Sequence, residues 1–449
     1  MIVLLFFGAL LTWNVHAELG TSLSSPSQVR LSVEKYQLKN GLTVLLYEDH
    51  SAPLISIHQW FRVGSADEKP GRTGLAHFFE HLMFKGTKKY SNRELDRIIQ
   101  ANGGTNNAFT TRDYTGYYEN MPSGKLELIL DIESDRLHNL IFDEKEIKNE
   151  REVVKEERRL RVEGSVFGYL NEAVFETVFK THPYRWLVIV YMKDLNAASL
   201  DDLKNFYKVY YAPNNAVLVI SGDFKSGKAK SLISKYYESI PSQILPERKA
   251  MREPEQRAQR SVSLQRDVQN ATLSVAFQGD AAGSVDSYAL DLLANVLGNG
   301  SSSRLHKRLV YRAQMADSVT AWSSTQRQTG VFQIVSSLKP GLEPDKALSL
   351  IYSEIWKIRN ELVKEKELEK AKTQVLTDYI DSLKTVAGKA RALAVNEILF
   401  GDYTRLFKDI ENYQSVTPLQ IKEVANKYLN PSQRSVIRVI PKATEAKGV

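Results

Sequence analysis

Hydrophobic and polar positions alternate along most of the chain in short strand-like and longer helix-like segments. Two apolar stretches within residues 36–48 flank Asn40-Gly41, which predicts a β-hairpin. Strand-like and helix-like segments then alternate up to Phe224. Residues 244–260 break the pattern, because they carry Pro, Glu and Arg with few apolar residues, and they predict a linker. A second patterned region runs from about residue 261 to residue 441.

The two patterned regions end with the same order of features. Tyr211-Ala212-Pro213-Asn214 precede an apolar strand at residues 216–221, and Lys427-Tyr428-Leu429-Asn430-Pro431 precede another at residues 435–440. Each time a helical segment, a tyrosine, a proline turn and a terminal strand follow one another. We therefore predict two similar domains at residues 33–243 and 261–442, joined by a linker at residues 244–260 and followed by a tail at residues 443–449.

The N-terminal residues predict that the protein is exported from the cytoplasm. Residues 2–15 are apolar apart from Thr12 and Asn14, and Val15-His16-Ala17 resembles a signal cleavage site. The run is shorter than the ~20 residues that span a membrane. We therefore predict a signal peptide at residues 1–17, a serine-rich flexible lead-in at residues 18–32 and a bacterial periplasmic location. No Lys or Arg precedes the apolar run, so an uncleaved N-terminal anchor is the alternative.

Composition narrows the classes of function without choosing among them. The 449 residues are 43% hydrophobic and 25% charged, which is usual for a soluble globular protein of about two to three domains. The net charge is +7, but basic and acidic residues are interspersed, so we expect a generally basic surface rather than binding to nucleic acid. The chain has no cysteine, which excludes disulfides and a lipoprotein attachment site.

The most informative segment is the apolar run at residues 75–85, which contains His77, Glu80 and His81. No Pro or Gly interrupts this run, so we predict a buried helix. Residues i and i+4 share a helix face, so His77 and His81 can hold one metal ion with Glu80 beside them. This is the H-x-x-E-H order. The alternative is that two core histidines and a glutamate fall together by chance.

A third metal ligand is expected to be a carboxylate, because cysteine is absent. Residues 144–164 predict a charged helix with one apolar stripe, formed by Ile147, Val153, Val154 and Leu160. Glu150 and Glu157 fall within roughly 10° of the centre of that stripe, whereas Glu156 lies about 110° away. Carboxylates on a buried face need a cationic partner. A metal ion at His77 and His81 would provide one, and salt bridges to nearby Arg or Lys are the alternative.

The chain resembles the pitrilysin-like zinc peptidases (inverzincins), the family of the mitochondrial processing peptidase and the insulin-degrading enzyme. The resemblance extends over about residues 33–441. The matching motifs, in chain order, are Gly64-Ser65-Ala66-Asp67-Glu68, Thr73-Gly74-Leu75-Ala76-His77-Phe78-Phe79-Glu80-His81, Lys85-Gly86-Thr87, Gly103-Gly104-Thr105-Asn106-Asn107-Ala108-Phe109-Thr110, Asn149-Glu150-Arg151 with Glu157, His182-Pro183-Tyr184, Tyr211-Ala212-Pro213-Asn214-Asn215 and Gly222-Asp223-Phe224.

This resemblance implies the roles of the site residues and the fold class. Glu157 corresponds to the third zinc ligand beside His77 and His81, and Glu150 to the carboxylate that orients a zinc-bound histidine. The implied fold is α+β, with two homologous domains that are each a mostly antiparallel sheet backed by helices and together form half of a clamshell. Only the first domain carries H-x-x-E-H, so one zinc ion per chain is expected.

The implied activity is the hydrolysis of peptide bonds in extended peptides or unfolded polypeptides. Three protein ligands leave one zinc position to water, whose pKa falls towards about 7, and Glu80 acts as the general base. Residues 103–118 predict an edge strand after a Gly-Gly break. The matching strand of the family pairs with substrate, so the backbone of Asn107, Ala108 and Phe109 is expected to bind peptide by β-augmentation. An ordinary sheet strand is the alternative.

One departure from the family pattern concerns the second domain. Self-sufficient members carry an Arg and a Tyr there, seven residues apart, which bind substrate near the scissile carbonyl. An ungapped placement puts Val310 and Asp317 at those positions, and neither can stabilise an oxyanion as Arg or Tyr does. We therefore expect a heterodimer with a homologous subunit that lacks the zinc motif and supplies Arg and Tyr. A local shift that uses Tyr311 or Arg312 leaves a homodimer or monomer open, and a non-catalytic scaffold is the other function class.

Overall fold

The computed structural model describes residues 31–442. The expected signal peptide, nearly all of the lead-in and the tail therefore lie outside the described residues. Within residues 31–442 no helix is both long and apolar enough to cross a bilayer.

The first region is built on a mixed sheet. Its strands are β1 (Glu34–Gln37), β2 (Thr43–Glu48), β3 (Leu54–Phe61), β4 (Thr105–Thr110), β5 (Thr115–Pro122) and β6 (Ala216–Gly222). They form a six-stranded sheet in the order β1-β2-β6-β3-β5-β4. β2 and β6 are parallel, and all other neighbours are antiparallel. The predicted hairpin at Asn40-Gly41 is confirmed, and Gly41 has a φ of +88° in the loop between β1 and β2.

The second region repeats this topology. Its strands are β7 (Arg260–Arg266), β8 (Thr272–Gly279), β9 (Ala316–Thr325), β10 (Gly330–Leu338) and β11 (Ser435–Pro441). Their order is β7-β11-β8-β10-β9, with β7 and β11 parallel and the other neighbours antiparallel. The same order and directions relate β2-β6-β3-β5-β4 in the first sheet. The internal repeat inferred from the two terminal strands is therefore confirmed, and those strands are β6 and β11.

Helices back both sheets. Those of the first region are α1 (Leu75–Leu82), α2 (Asn92–Ala101), α3 (Leu126–His138), α4 (Glu144–Arg158), α5 (Val166–Val178), α6 (Met192–Ala197), α7 (Leu200–Tyr210) and α8 (Ser226–Tyr237). Those of the second are α9 (Val285–Gly298), α10 (Pro344–Asn360), α11 (Glu365–Ser382), α12 (Val386–Phe400), α13 (Asp409–Ser415) and α14 (Pro418–Tyr428). A π-helical turn, Arg159–Glu163, continues α4. The predicted α+β class is confirmed.

The two regions exchange helices. α5 belongs to the first region but packs on β7, β8 and β11 of the second sheet, where Leu170 and Phe175 share a buried core with Ile437 and Val439. In return, α12 of the second region packs on β3 and β6 of the first sheet. Each sheet is therefore partly covered by a helix that the other region supplies, and the two regions share their stabilising apolar contacts.

The segment predicted as a linker contains no helix or strand up to β7, but its side chains fix it to the first region. Arg248 Nε donates to Asp67 Oδ1 at 2.8 Å. The Glu253 carboxylate accepts hydrogen bonds at 2.7–2.9 Å from the backbone N–H groups of residues 180–182. Glu253 is buried, so these bonds compensate for its removal from water.

Two predicted elements differ from the structure. The zinc-motif helix ends at Leu82 rather than residue 85, because the N–H groups of Phe84 and Lys85 bond to carbonyls three residues back and tighten the chain. Residues 103–118 are a hairpin rather than one strand, with β4 at the sheet edge and β5 inside it. The alternation of side chains continues through both strands and hides the turn, which the Thr111 hydroxyl closes by donating to the Tyr114 carbonyl oxygen at 2.8 Å.

Candidate metal centre

α1 and α4 bring three metal-ligating side chains together. His77 and His81 lie on one face of α1, as the i, i+4 spacing predicts. Glu157 Oε2 from α4 lies 3.4 Å from His77 Nε2 and 3.2 Å from His81 Nε2. One ligand atom from each of the three residues lies within 4.8 Å of the others, and no second such group occurs within residues 31–442.

These donor atoms face one another without satisfying one another. Glu157 Oε2 is shielded from solvent and accepts no hydrogen bond of good geometry. A buried carboxylate oxygen without a partner is costly unless a cation meets it. Two imidazole nitrogens and one carboxylate oxygen are the ligand set of catalytic zinc sites that keep an open position. The residues present therefore fit a zinc ion.

The orientation of His81 is set from the opposite side of its ring. Its Nδ1 lies 2.8 Å from Glu150 Oε1, and Lys85 Nζ lies 2.6 Å from Glu150 Oε2. With the Nδ1 proton donated to Glu150, the neutral ring presents its Nε2 lone pair to the cluster. This is the supporting hydrogen bond that metal-binding histidines usually make.

The two histidines differ in protonation when no metal is present. Burial lowers the pKa of His77 to about 4, so its ring is neutral near pH 7. Burial also acts to lower the pKa of His81, but its contacts with Glu150 and Glu157 outweigh this effect and raise the pKa to about 9. The contact with His81 lowers the pKa of Glu157, which is therefore ionised. A proton on His81 thus partly balances the carboxylates until a metal replaces it.

Glu80 lies beside the cluster on α1. Its Oε2 accepts a hydrogen bond from the Thr110 hydroxyl of β4 at 2.6 Å. Burial raises the pKa of Glu80. A carboxylate with a raised pKa next to a metal-ligand cluster is suited to take up and return a proton.

The N-terminal end of α1 is fixed by a carboxylate from outside the helix. Glu68 Oε2 and Oε1 accept the backbone N–H groups of Gly74 and Ala76, each at 2.8 Å. These N–H groups have no partner within the helix. Gly74 has a φ of +92°, and a Cβ there would lie 2.2 Å from Val190 Cγ2, so glycine is required. Glu68 thus holds the helix that carries the zinc motif.

The predicted substrate strand contains β4, one of the two edge strands of the first sheet. β4 pairs with β5 on one side, and within the described residues no strand pairs with its other side. Asn107 is exposed, and Ala108 packs towards the core of the first region. The Phe109 side chain contacts the Trp60 ring at 5.1 Å and the Arg391 guanidinium at 4.8 Å. These contacts hold the Phe109 side chain in place.

The ungapped placement assigns Val310 and Asp317 to the positions where the family pattern has Arg and Tyr. Val310 packs against the hydrophobic core of the second region, and Asp317 is exposed near the start of β9. Tyr311, the neighbour considered as a substitute, has an exposed fraction of 64%.

The apolar stripe predicted on α4 is only half correct. Ile147 and Val154 are buried, but Val153 and Leu160 are exposed. Glu150 and Glu157 nevertheless face α1 as predicted. Glu150 contacts His81, and Glu157 contacts both His77 and His81. Sequence reasoning assigned no role to Thr110, Glu68 or Lys85. All three lie inside the sequence motifs that the chain shares with the pitrilysin-like family.

An H-x-x-E-H helix that meets a glutamate of a second helix, in the first of two repeated α+β units, defines the class of zinc metallopeptidase-like proteins. The chain belongs to peptidase family M16. Residues 43–185 match the family model described as Insulinase (Peptidase family M16), and residues 197–375 match Peptidase M16 inactive domain.

Similar proteins with known names support this family assignment. The chain is 31% identical to the zinc protease PqqE of Helicobacter pylori, over 94% of this chain and 96% of that protein. It is 25% identical to a probable mitochondrial-processing peptidase subunit beta of Arabidopsis thaliana, over 90% of this chain and 77% of that protein. A solved structure of a protease from Helicobacter pylori has 29% identity and a TM-score of 0.87, covering 92% of this chain and 100% of that one.

Proposed function

We propose that this protein is a zinc-dependent endopeptidase that hydrolyses extended peptides or unfolded polypeptides. The convergence of His77, His81 and Glu157, with Glu80 beside them, carries this proposal. The contact between His81 Nδ1 and Glu150 supports it, because metal-binding histidines usually make a hydrogen bond of this kind through their other ring nitrogen. The names of the relatives support the peptidase class.

When bound, zinc supplies a Lewis acid that polarises the scissile carbonyl and lowers the pKa of a water molecule. Glu80 accepts a proton from the attacking water while the water oxygen forms a bond to the carbonyl carbon. Glu80 then returns that proton to the amine nitrogen as the C–N bond breaks. The raised pKa of Glu80 favours proton uptake at this position.

We place the peptide along β4. Its outer edge presents the backbone N–H and C=O groups of alternate residues within Asn107–Phe109, which a substrate in extended conformation can pair with. Main-chain hydrogen bonds of this kind tolerate many side chains. Thr110 follows these residues and contacts Glu80, so a peptide on this edge runs towards the general base.

We further propose that the active form is a heterodimer with a homologous subunit that lacks the zinc motif and supplies Arg and Tyr. Val310 and Asp317 support this dependence, because neither side chain can stabilise a developing oxyanion. The likeness to proteins named as beta subunits of processing peptidases also supports it.

Hydrolysis of a mixed set of quenched-fluorescent peptides tests the proposal. The zinc-loaded protein is measured alone, after chelation, and with a co-encoded homologue that carries the Arg and Tyr. We expect cleavage with the homologue that is lost on chelation. Cleavage by the protein alone would retain the peptidase and overturn the partner requirement. Silence under all conditions would overturn the peptidase and favour the scaffold.

A further inference from the structure

Thr110 reaches Glu80 from the edge strand. Its Oγ1 donates to Glu80 Oε2 at 2.6 Å, and within residues 31–442 this is the only hydrogen bond that the Glu80 carboxylate makes. The contact joins the strand expected to hold the peptide to the residue expected to move the proton. Glu80 Oε1 is left without a protein partner.

We propose that Thr110 is a positioning residue that holds the Glu80 carboxylate for proton transfer. The proposal rests on the proposed function, since it gives Thr110 a task only if Glu80 is the general base. The hydroxyl occupies Oε2 and fixes the plane of the carboxylate. Oε1 is then the oxygen that accepts the proton from water and later returns it to the amine nitrogen, so the hydrogen bond and the proton transfer use different atoms.

The position of Thr110 is itself well defined. It pairs with Thr115 across the hairpin, and its β-branched side chain has restricted rotation about χ1. The turn that follows contains the buried Asp113. Its Oδ1 accepts a hydrogen bond from the Tyr184 hydroxyl at 2.5 Å, and its Oδ2 accepts one from the backbone N–H of Arg327 at 3.0 Å. Arg327 lies between β9 and β10, so the second region holds the end of the strand that carries Thr110.

Two substitutions separate positioning from general structure. Thr110→Val keeps the branched shape and removes the donor, and Thr110→Ser keeps the donor. A correctly placed general base contributes about 10²–10⁴-fold, so misplacing it is expected to lower kcat by about tenfold or more. We expect this fall in kcat in Thr110→Val, with KM, zinc content and melting temperature unchanged. Thr110→Ser should recover most of it, and Thr320→Val, at an exposed position of β9 in the second sheet, should behave as the unmodified protein.

The outcomes distinguish this proposal from the proposed function. If Glu80→Gln abolishes hydrolysis while Thr110→Val retains full kcat, the peptidase stands and the positioning role is overturned. Equal losses in Thr110→Val and Thr110→Ser would also overturn it. If no hydrolysis is found in any preparation, the crystal structure of zinc-loaded Thr110→Val decides. A displaced Glu80 carboxylate would show that Thr110 positions Glu80 even where the peptidase proposal fails, and an unmoved carboxylate would overturn that positioning.

Discussion

Glu150 accepts a hydrogen bond from His81, with Oε1 lying 2.8 Å from Nδ1 across the interface of two helices. Glu150 is buried and also forms a salt bridge with Lys85, so its negative charge is compensated while it orients the imidazole ring of His81. The bond aims His81 Nε2 at Glu157 and explains why the metal-ligand cluster is already assembled in the folded chain.

Replacing Glu150 by Gln should weaken zinc binding without removing a ligand. Partners of this kind typically contribute 10–100-fold in metal affinity, so an increase in the zinc Kd by about that factor is expected. Competition with a chelator measures it. Glu152→Gln is the matched control, because Glu152 is exposed on the same helix and, within residues 31–442, pairs only with Lys155. An unchanged Kd in Glu150→Gln would exclude the orienting role.

Zinc binding should release a proton from His81 near pH 7. Without metal, His81 has a pKa of about 9 and is protonated, whereas His77 has a pKa of about 4 and is already neutral. Because zinc requires neutral imidazole, its apparent affinity should rise by about tenfold per pH unit below pH 9 and level off above it. Calorimetric titration in buffers of different ionisation enthalpy counts the proton. Release of no proton at pH 7 would show that His81 is neutral before zinc binds.

Removing zinc should destabilise the protein. A ligand at 100 times its Kd stabilises the folded state by about 2.7 kcal/mol, and chelation removes that contribution. Scanning calorimetry with and without zinc should therefore show a lower melting temperature for the chelated protein. His77→Ala should abolish the difference, while His138→Ala, at an exposed position of α3, should preserve it. Identical melting temperatures with and without zinc would argue against binding at this cluster.

The helix exchange predicts that the two regions unfold together. Leu170 is fully buried on α5 against the second sheet, so Leu170→Ala should cost about 2–5 kcal/mol. Phe167→Ala, on the same helix but exposed, should cost far less. Urea unfolding followed by circular dichroism and by tryptophan fluorescence should give one coincident transition, displaced in Leu170→Ala. Two separate transitions would show that the regions fold independently.

The parts of the site that sequence predicts are those fixed by helix periodicity. The i, i+4 spacing places His77 and His81 on one face of α1. Glu150 and Glu157 are seven residues apart, about two helical turns, so both lie on the side of α4 that meets α1. These relationships are local, so the amino-acid order determines them. The terminal strands β6 and β11 are similarly recognisable, because each follows a proline turn and is mostly apolar.

The features that sequence does not predict depend on which surfaces meet. Val153 and Leu160 are apolar but exposed, because only one flank of α4 is covered. An apolar helix face specifies burial but not its partner, so the packing of α5 on the second sheet follows only from the tertiary structure. Thr110 meets Glu80 across 30 residues of chain, a contact that no spacing rule contains.

The most direct test compares Glu80→Gln with the unmodified protein for both zinc content and peptide hydrolysis, each in the presence of the homologous partner. Glu80 is not a ligand, so the account predicts one zinc per chain in both proteins and loss of hydrolysis only in Glu80→Gln. Hydrolysis that persists in zinc-loaded Glu80→Gln would contradict the assignment of Glu80 as the general base and, with it, the central claim.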